Sequence, residues 1–226
     1  MNHVVCHIYP KVGSTWRTIV DGLRKRQSMF DGKRIIGIVT GENLENPDTV
    51  KKELSDFGTH WIINANDPGL REVVTLRPAI DELMKDPSGN AFYCHSKGAT
   101  HSPDSICQEW REVMLSVCLD FPALINAALA DRPICGPFRR YGGLGVEWHY
   151  SGAFYWFRLE DLWMREWRYV QNTWYGVETF PACNFHPPEA RCLFLDHCGD
   201  LYDPDYWDRV VRPAFDIWKK RIAACL

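Results

Sequence analysis

The run FYCHSKGATH, Phe92 to His101, sets an imidazole, a hydroxyl, a cation and a glycine side by side where an apolar segment ends. His95, Ser96 and Lys97 can each donate to an anion, and Gly98 lets backbone N–H groups come close to it. Such a set suits an anion or a sugar waiting at the strand end. The plainer reading of the tetrapeptide is a surface turn with a solvated lysine and a histidine that caps the strand.

A second set lies in WHYSGAF. As an extended segment it puts His149 and Ser151 on one face and Trp148 and Tyr150 on the other, while Gly152 admits a sugar ring close to the backbone. Aromatic faces and short polar groups suit a saccharide, so His149, Tyr150, Ser151, Gly152 and the nearby Trp174 are saccharide-binding candidates. The following AFYWF reads as core through Phe154 and Trp156. TWYGVETF supplies Glu178, a carboxylate able to take a proton from an attacking hydroxyl, or else a solvated surface acid. CNFHPPEARCLFLDHC gathers Cys183, His186, Cys192, His197 and Cys198. Thiolate and imidazole are zinc ligands, but this spacing is not a standard zinc pattern, so isolated buried thiols are the default and no metal ligands are assigned.

Positioning these groups requires strands and helices in alternation. HVVCHIY, KRIIGIVTG, THWIINAND and NAFYCHS read as strands; TWRTIVDGLRKRQSMF, NPDTVKKELSDFG and LREVVTLRPAIDELMKD read as the helices between them. The second of these has Asn46 as cap, Pro47 in the first turn and Gly58 as stop. Repeated βα units imply an α/β fold: a Rossmann-like, mainly parallel sheet with helices on both faces. A long helical pattern from Asp104 to Asp131 breaks at Pro122, RPICGPFRRYGGLG reads as a glycine-rich loop around one short strand, and EWHYSGAFYWFRLEDLW as a strand running into a short helix. The helical tail breaks near Pro213. With no repeat or linker, residues 1–226 are expected to form a single domain.

The 26 basic and 29 acidic side chains nearly balance, so extended electrostatic capture of nucleic acid is not expected. MNHVVCHIYP lacks the basic start and apolar length of a secretory segment, no stretch approaches membrane-spanning length, and the nine cysteines are scattered. A cytoplasmic location with reduced thiols is the expectation.

FYCHSKGATH, EWREVML, WHYSGAFYWFR and WYGVETF, in this order over roughly residues 90 to 180, together resemble a family of GT-A-type glycosyltransferases. That family carries a strand ending in H-[ST]-K-G, a helix opening with W-R, then H-[FY]-S-G-N-F-W-W and an acid near an aromatic. Two departures stand out: Ala153 replaces the asparagine after S-G, and no D-x-D ends the fourth strand-like run. The resemblance implies a nucleotide-sugar donor, first of all a UDP-sugar, with a divalent metal as a common family partner. It implies a nucleotide-sugar half over 1–100 and an acceptor half over 101–226. Tyr9, Thr40, Asn64, Asp67, Glu72, Arg77, Ser96, Gly98 and His197 would face the donor, with Lys97, His95 and Glu178 as the catalytic set. In an inverting reaction Glu178 would be the base; in a retaining one it would hold a sugar hydroxyl. The acceptor would be a hydroxyl on a glycan, a small molecule or a modified nucleobase such as one in phage DNA. The alternatives are a non-catalytic carbohydrate- or nucleotide-binding module, favoured by Ala153 and the missing D-x-D, and a zinc-containing structural or nucleic-acid module.

Overall fold

The computed structural model describes residues 1–102 and 104–225. Four β-branched and aromatic runs become β1 (Asn2–Ile8), β2 (Arg34–Thr40), β3 (His60–Ala65) and β4 (Asn90–His95), paired in parallel in the order β3-β2-β1-β4. Parallel neighbours need long return crossings, which α1 (Arg17–Arg24), α2 (Pro47–Glu53) and α3 (Val73–Leu83) supply. The start of α2 follows its signals: the Asn46 side chain accepts the Asp48 N–H at 2.8 Å, and the Gly58 N–H closes on the Leu54 carbonyl at 2.8 Å.

The second half adds α4 (Ile106–Leu119), α5 (Pro122–Asp131), β5 (Ile134–Tyr141), β6 (Trp148–Tyr150), β7 (Tyr155–Arg158), α6 (Leu159–Trp163), α7 (Gly176–Asn184) and β8 (Ala190–Asp196). Strand β7 joins β4 antiparallel, β5 pairs antiparallel with β7 and β6, and β8 lies parallel to β5. The result is one eight-stranded α/β sheet, parallel through its first four strands and mixed beyond them.

Strand alternation divides the core between the two faces. Val4, Cys6, Ile8, Ile36, Phe92 and Trp156 pack with α1, α2 and α4, whereas Val5, Ile35, Tyr93, Tyr155 and Phe157 pack with α3 and α7. Cys6, Cys94, Cys107, Cys118 and Cys135 are buried and unbridged. No single described helix is long and apolar enough to cross a membrane; α4 and α5 pass only as a pair bent by 72°.

Two segments differ from the sequence expectation. Within RPICGPFRRYGGLG the strand is longer than expected, running over Ile134–Tyr141, and Gly136 in it lies against the Tyr150 ring, where a Cβ would come within 2.7 Å. WHYSGAFYWFR is two strands rather than one, divided by a turn with Gly152 at φ 87° and Ala153 at φ 52°. The tail, in turn, changes pitch before Pro213: a π-turn over Trp207–Val211 leads directly into the helix Arg212–Cys225.

The left-handed backbone at Ala153 gives a test. An L-residue with a Cβ is strained there, so Ala153→Gly is expected to raise stability by roughly 0.5–1 kcal/mol in urea denaturation.

Candidate functional site

Parallel strands present their C-terminal ends along one edge, and there the loops after β1, β3 and β4 meet the turn between β6 and β7. Two connected hollows result. One, of about 330 Å³, is lined by Tyr9, Asn66, Ser96, Gly98 and His101 among others. The other, of about 360 Å³, is lined by Arg140, His149, Ser151, Trp174, Glu178 and His197 among others. Both are bordered by Arg71, Glu72, His95, Lys97 and Tyr202, which therefore form a waist between them.

Lys97 sits at this waist almost fully buried, which demands partners for its ammonium. The ammonium lies 4.0 Å from the centre of the Trp110 ring and 5.0 Å from that of Tyr202, and it donates to the Tyr202 hydroxyl at 2.9 Å. Arg111, the next residue of α4, donates to the Lys97 carbonyl at 3.1 Å. The W-R pair thus grips Lys97 from its side-chain and backbone ends. Gly98 turns the chain at φ 80°, and Ser96 accepts the Tyr9 N–H at 2.8 Å, tying the β4 end to the β1 end.

A polar chain runs along the cleft floor. His95 Nδ1 faces Glu72 Oε1 at 2.9 Å and its Nε2 faces the Gly152 carbonyl at 3.0 Å, so both ring nitrogens point at acceptors. The Gly152 N–H donates to Glu178 Oε1 at 2.7 Å. Burial acts to raise the Glu72 carboxyl, but the hydrogen bond and charge of His95, with His7 beyond, outweigh it and hold it at about 2.

A second chain crosses the wall. His197 Nδ1 faces the Gly199 carbonyl at 3.2 Å, so in the neutral ring that nitrogen carries the proton. Nε2 of His197 then accepts from the Ser151 hydroxyl at 2.9 Å, and the Ser151 oxygen accepts from His149 Nε2 at 3.2 Å. Burial pushes His149 down to about 4, with the Arg140 charge acting in the same direction. It does the same to His197, again with Arg140 adding to it against the Gly199 hydrogen bond. His7, hydrogen-bonded to Thr75 at 2.7 Å, is likewise driven to about 4 by burial.

Of the residues singled out from sequence, Tyr9, Glu72, His95, Ser96, Lys97, Gly98, His149, Ser151, Trp174, Glu178 and His197 line the cleft. Gly152 joins them through its peptide group. Others do not. Tyr150 is fully buried on the opposite face, its hydroxyl donating to the Arg191 carbonyl at 2.8 Å, because strand alternation sends it away from His149 and Ser151. Arg77 reaches the Val170 carbonyl at 2.9 Å and Asn172, pinning the loop before α7 instead of facing a donor. Asn64 is spent on the Val74 carbonyl, Thr40 on the Asn64 carbonyl, and Asp67 on the Gly69 and Leu70 N–H groups of its own turn. Glu72 holds His95 and is a positioning group.

Arg71, Arg140, Trp110 and Tyr202 were not singled out as site residues, although Trp110 stands in the EWREVML run. Arg71 lies over Trp174, its guanidinium 4.8 Å from the ring centre. The cysteine–histidine cluster disperses: the Cys192 thiol faces the Pro137 carbonyl at 3.7 Å, Cys198 is exposed, and His197 belongs to the Ser151 chain. Among the described residues no three His, Cys, Asp or Glu side chains gather so as to hold a metal ion. For the divalent cation common to GT-A enzymes the fit also fails: Glu72 is engaged by His95, and a lysine ammonium stands beside them.

No family model matches the sequence, and no curated protein matches it. Among solved structures, a 4-diphosphocytidyl-2C-methyl-D-erythritol synthase aligns over 95% of this chain and 99% of its own at 13% identity, with a TM-score of 0.46. A protein assigned as a nucleotide-diphospho-sugar transferase from Desulfovibrio desulfuricans G20 aligns over 98% of this chain and 95% of its own at 14% identity, with a TM-score of 0.42.

The three neutral histidines set the acid stability. Unfolded, each titrates near 6.5; folded, each stays neutral down to about 4, so between those values the unfolded chain holds the extra protons. Stability is then expected to fall by roughly 1 kcal/mol per pH unit for each histidine as pH drops through that window. Urea midpoints at pH 7, 6 and 5 measure the slope, and a flat profile would contradict it. Replacing His7 with Gln should reduce the slope by one proton's worth.

Proposed function

We propose that the protein is a nucleotide-sugar-dependent glycosyltransferase, with a UDP-sugar as the first donor to try. The observation that carries this reading is the lysine ammonium held at the waist between two hollows, at the C-terminal edge of parallel strands. A diphosphate across the waist would meet Lys97 and Arg71, with the nucleoside on the side of Tyr9, Asn66, Ser96 and Gly98. The sugar and the acceptor hydroxyl would lie on the side of His149, Ser151, Trp174 and Glu178. Residues 1–100 would supply most of the first side and 101–226 most of the second.

In this reading Lys97 counters the charge that grows on the leaving diphosphate as the sugar–phosphate bond breaks. Its hydrogen bond to Tyr202 and its seat on Trp110 hold it in place before the reaction, so little rearrangement is needed. Glu178 uses one oxygen to accept the Gly152 N–H, leaving the other to take the proton of the acceptor hydroxyl as its oxygen bonds to the anomeric carbon. His95 and Glu72 fix Gly152, and through it Glu178. The residues do not fit a bound divalent ion.

Two substitutions separate the roles. Lys97→Met keeps the stem between the rings and is expected to weaken UDP binding about 10- to 100-fold in calorimetry, with an unchanged circular dichroism spectrum. Glu178→Gln is expected to leave UDP-sugar affinity within about twofold and to lower transfer or donor hydrolysis by about a hundredfold or more. Absence of binding across a panel of nucleotide sugars would remove the reading. Binding without turnover would favour a non-catalytic module.

A further inference from the structure

Most arginines of this protein are matched by acids: Arg17 by Glu45 and Glu53, Arg24 by Asp56, Arg139 by Asp196, Arg165 by Glu189 and Arg212 by Glu109. Arg140 is not. Among the described residues its guanidinium makes no ion pair and no hydrogen bond, yet it lines the larger hollow.

Its placement follows from the sheet. On β5, Arg139 turns toward Asp196 and the Ala190 carbonyl, so alternation sends Arg140 to the cleft face. There its register partner across the strand pair is His149. His197 arrives alongside because its N–H bonds the Arg139 carbonyl at 2.9 Å. Among the described residues none of the acids of the same hollow pairs with Arg140: Glu72 holds His95, Glu178 gives one oxygen to the Gly152 N–H, and Asp200 gives one to the Tyr202 N–H. The two imidazoles beside Arg140 carry no charge of their own, as their depressed ionisation requires.

A guanidinium left unmatched in a hollow favours an anion. Lys97 and Arg71 also border this hollow, at the waist where the diphosphate is assigned; beside the two neutral imidazoles Arg140 adds one further positive charge, which a single carboxylate matches. Arg140 borders only the larger hollow, away from the Tyr9 and Ser96 side, so this anion is separate from the diphosphate assigned to Lys97 and Arg71.

We propose that Arg140 binds the carboxylate of an acidic sugar, making carboxylate-bearing saccharides the substrate class of this site. The proposal rests on the transferase reading for its biological meaning, since the acid can belong either to the transferred sugar or to the acceptor. A planar guanidinium meets a carboxylate through two parallel N–H···O bonds, and Ser151 and His149 beside it are placed to meet the ring hydroxyls.

The test compares wild type, Arg140→Gln and Arg140→Lys by calorimetry, with UDP, UDP-glucose, UDP-glucuronate, methyl glucuronide and methyl glucoside as probes. Wild type should prefer an acidic ligand over its neutral partner by about tenfold or more. Arg140→Gln should abolish that preference, Arg140→Lys should restore part of it, and UDP affinity should stay within about twofold in all three. Preference confined to the UDP-sugar pair places the acid on the donor; preference in the free glycosides places it on the acceptor. Equal affinity for acidic and neutral ligands, or a preference that survives Arg140→Gln, overturns the proposal. Failure of UDP to bind rules out a uridine donor, and failure across the whole panel of nucleotide sugars overturns the transferase reading instead, while the free glycosides still report on Arg140.

Discussion

One peptide group ties the site together. The carbonyl of Gly152 accepts from His95 and its N–H donates to Glu178, while His95 also holds Glu72. This line joins the residue before α3, the end of β4, the turn after β6 and the first turn of α7. Each member satisfies another, so burying the line costs little, and hydrogen bonds in series reinforce one another. A side chain at Gly152 would break it twice over: the backbone there is at φ 87°, and a Cβ would come within 2.8 Å of the Met114 sulfur.

The cationic side of the cleft is organised differently. Among the described residues no carboxylate sits on the buried Lys97 ammonium, and aromatic faces and a phenol hydroxyl take the place of an acid. An acid partner would neutralise the ammonium; a ring holds the cation while leaving its charge available to an anion. Arg71 over Trp174 repeats the device at the exposed lip. Around Ser151, burial and the Arg140 charge keep two imidazoles neutral, which leaves the proton positions of the His149–Ser151–His197 chain defined by their acceptors.

Much of the scaffold was legible because it depends on local signals. Apolar runs separated by helical periods mark β1 to β4, and Asn46, Pro47 and Gly58 bound α2 by capping chemistry that acts within a few residues. HSKG was legible as a candidate because four polar or flexible residues end a buried strand. Arg77, Asn64, Thr40 and Asp67 misled for one shared reason. A polar residue near a strand end, or in the helix that follows one as Arg77 is, looks available for a ligand until its partners are known, and all four are engaged by the protein itself. Tyr150 misled despite the correct alternation of its strand: the same pattern that brings His149 and Ser151 to the cleft carries Tyr150 away from it.

By itself the sequence determined the α/β class, the order of the first four strands along the chain, and the residue types at the HSKG and YSGA turns. These follow from side-chain periodicity and backbone preference, which act over a few residues. Only the tertiary structure decided that the two turns meet, that Trp110 and Arg111 hold Lys97 from both ends, and that Arg139 is paired while Arg140 is not. Those outcomes depend on strand order and register between segments far apart in the chain. Such contacts form only when the whole sheet closes, and no short stretch of residues encodes which charge will find a partner.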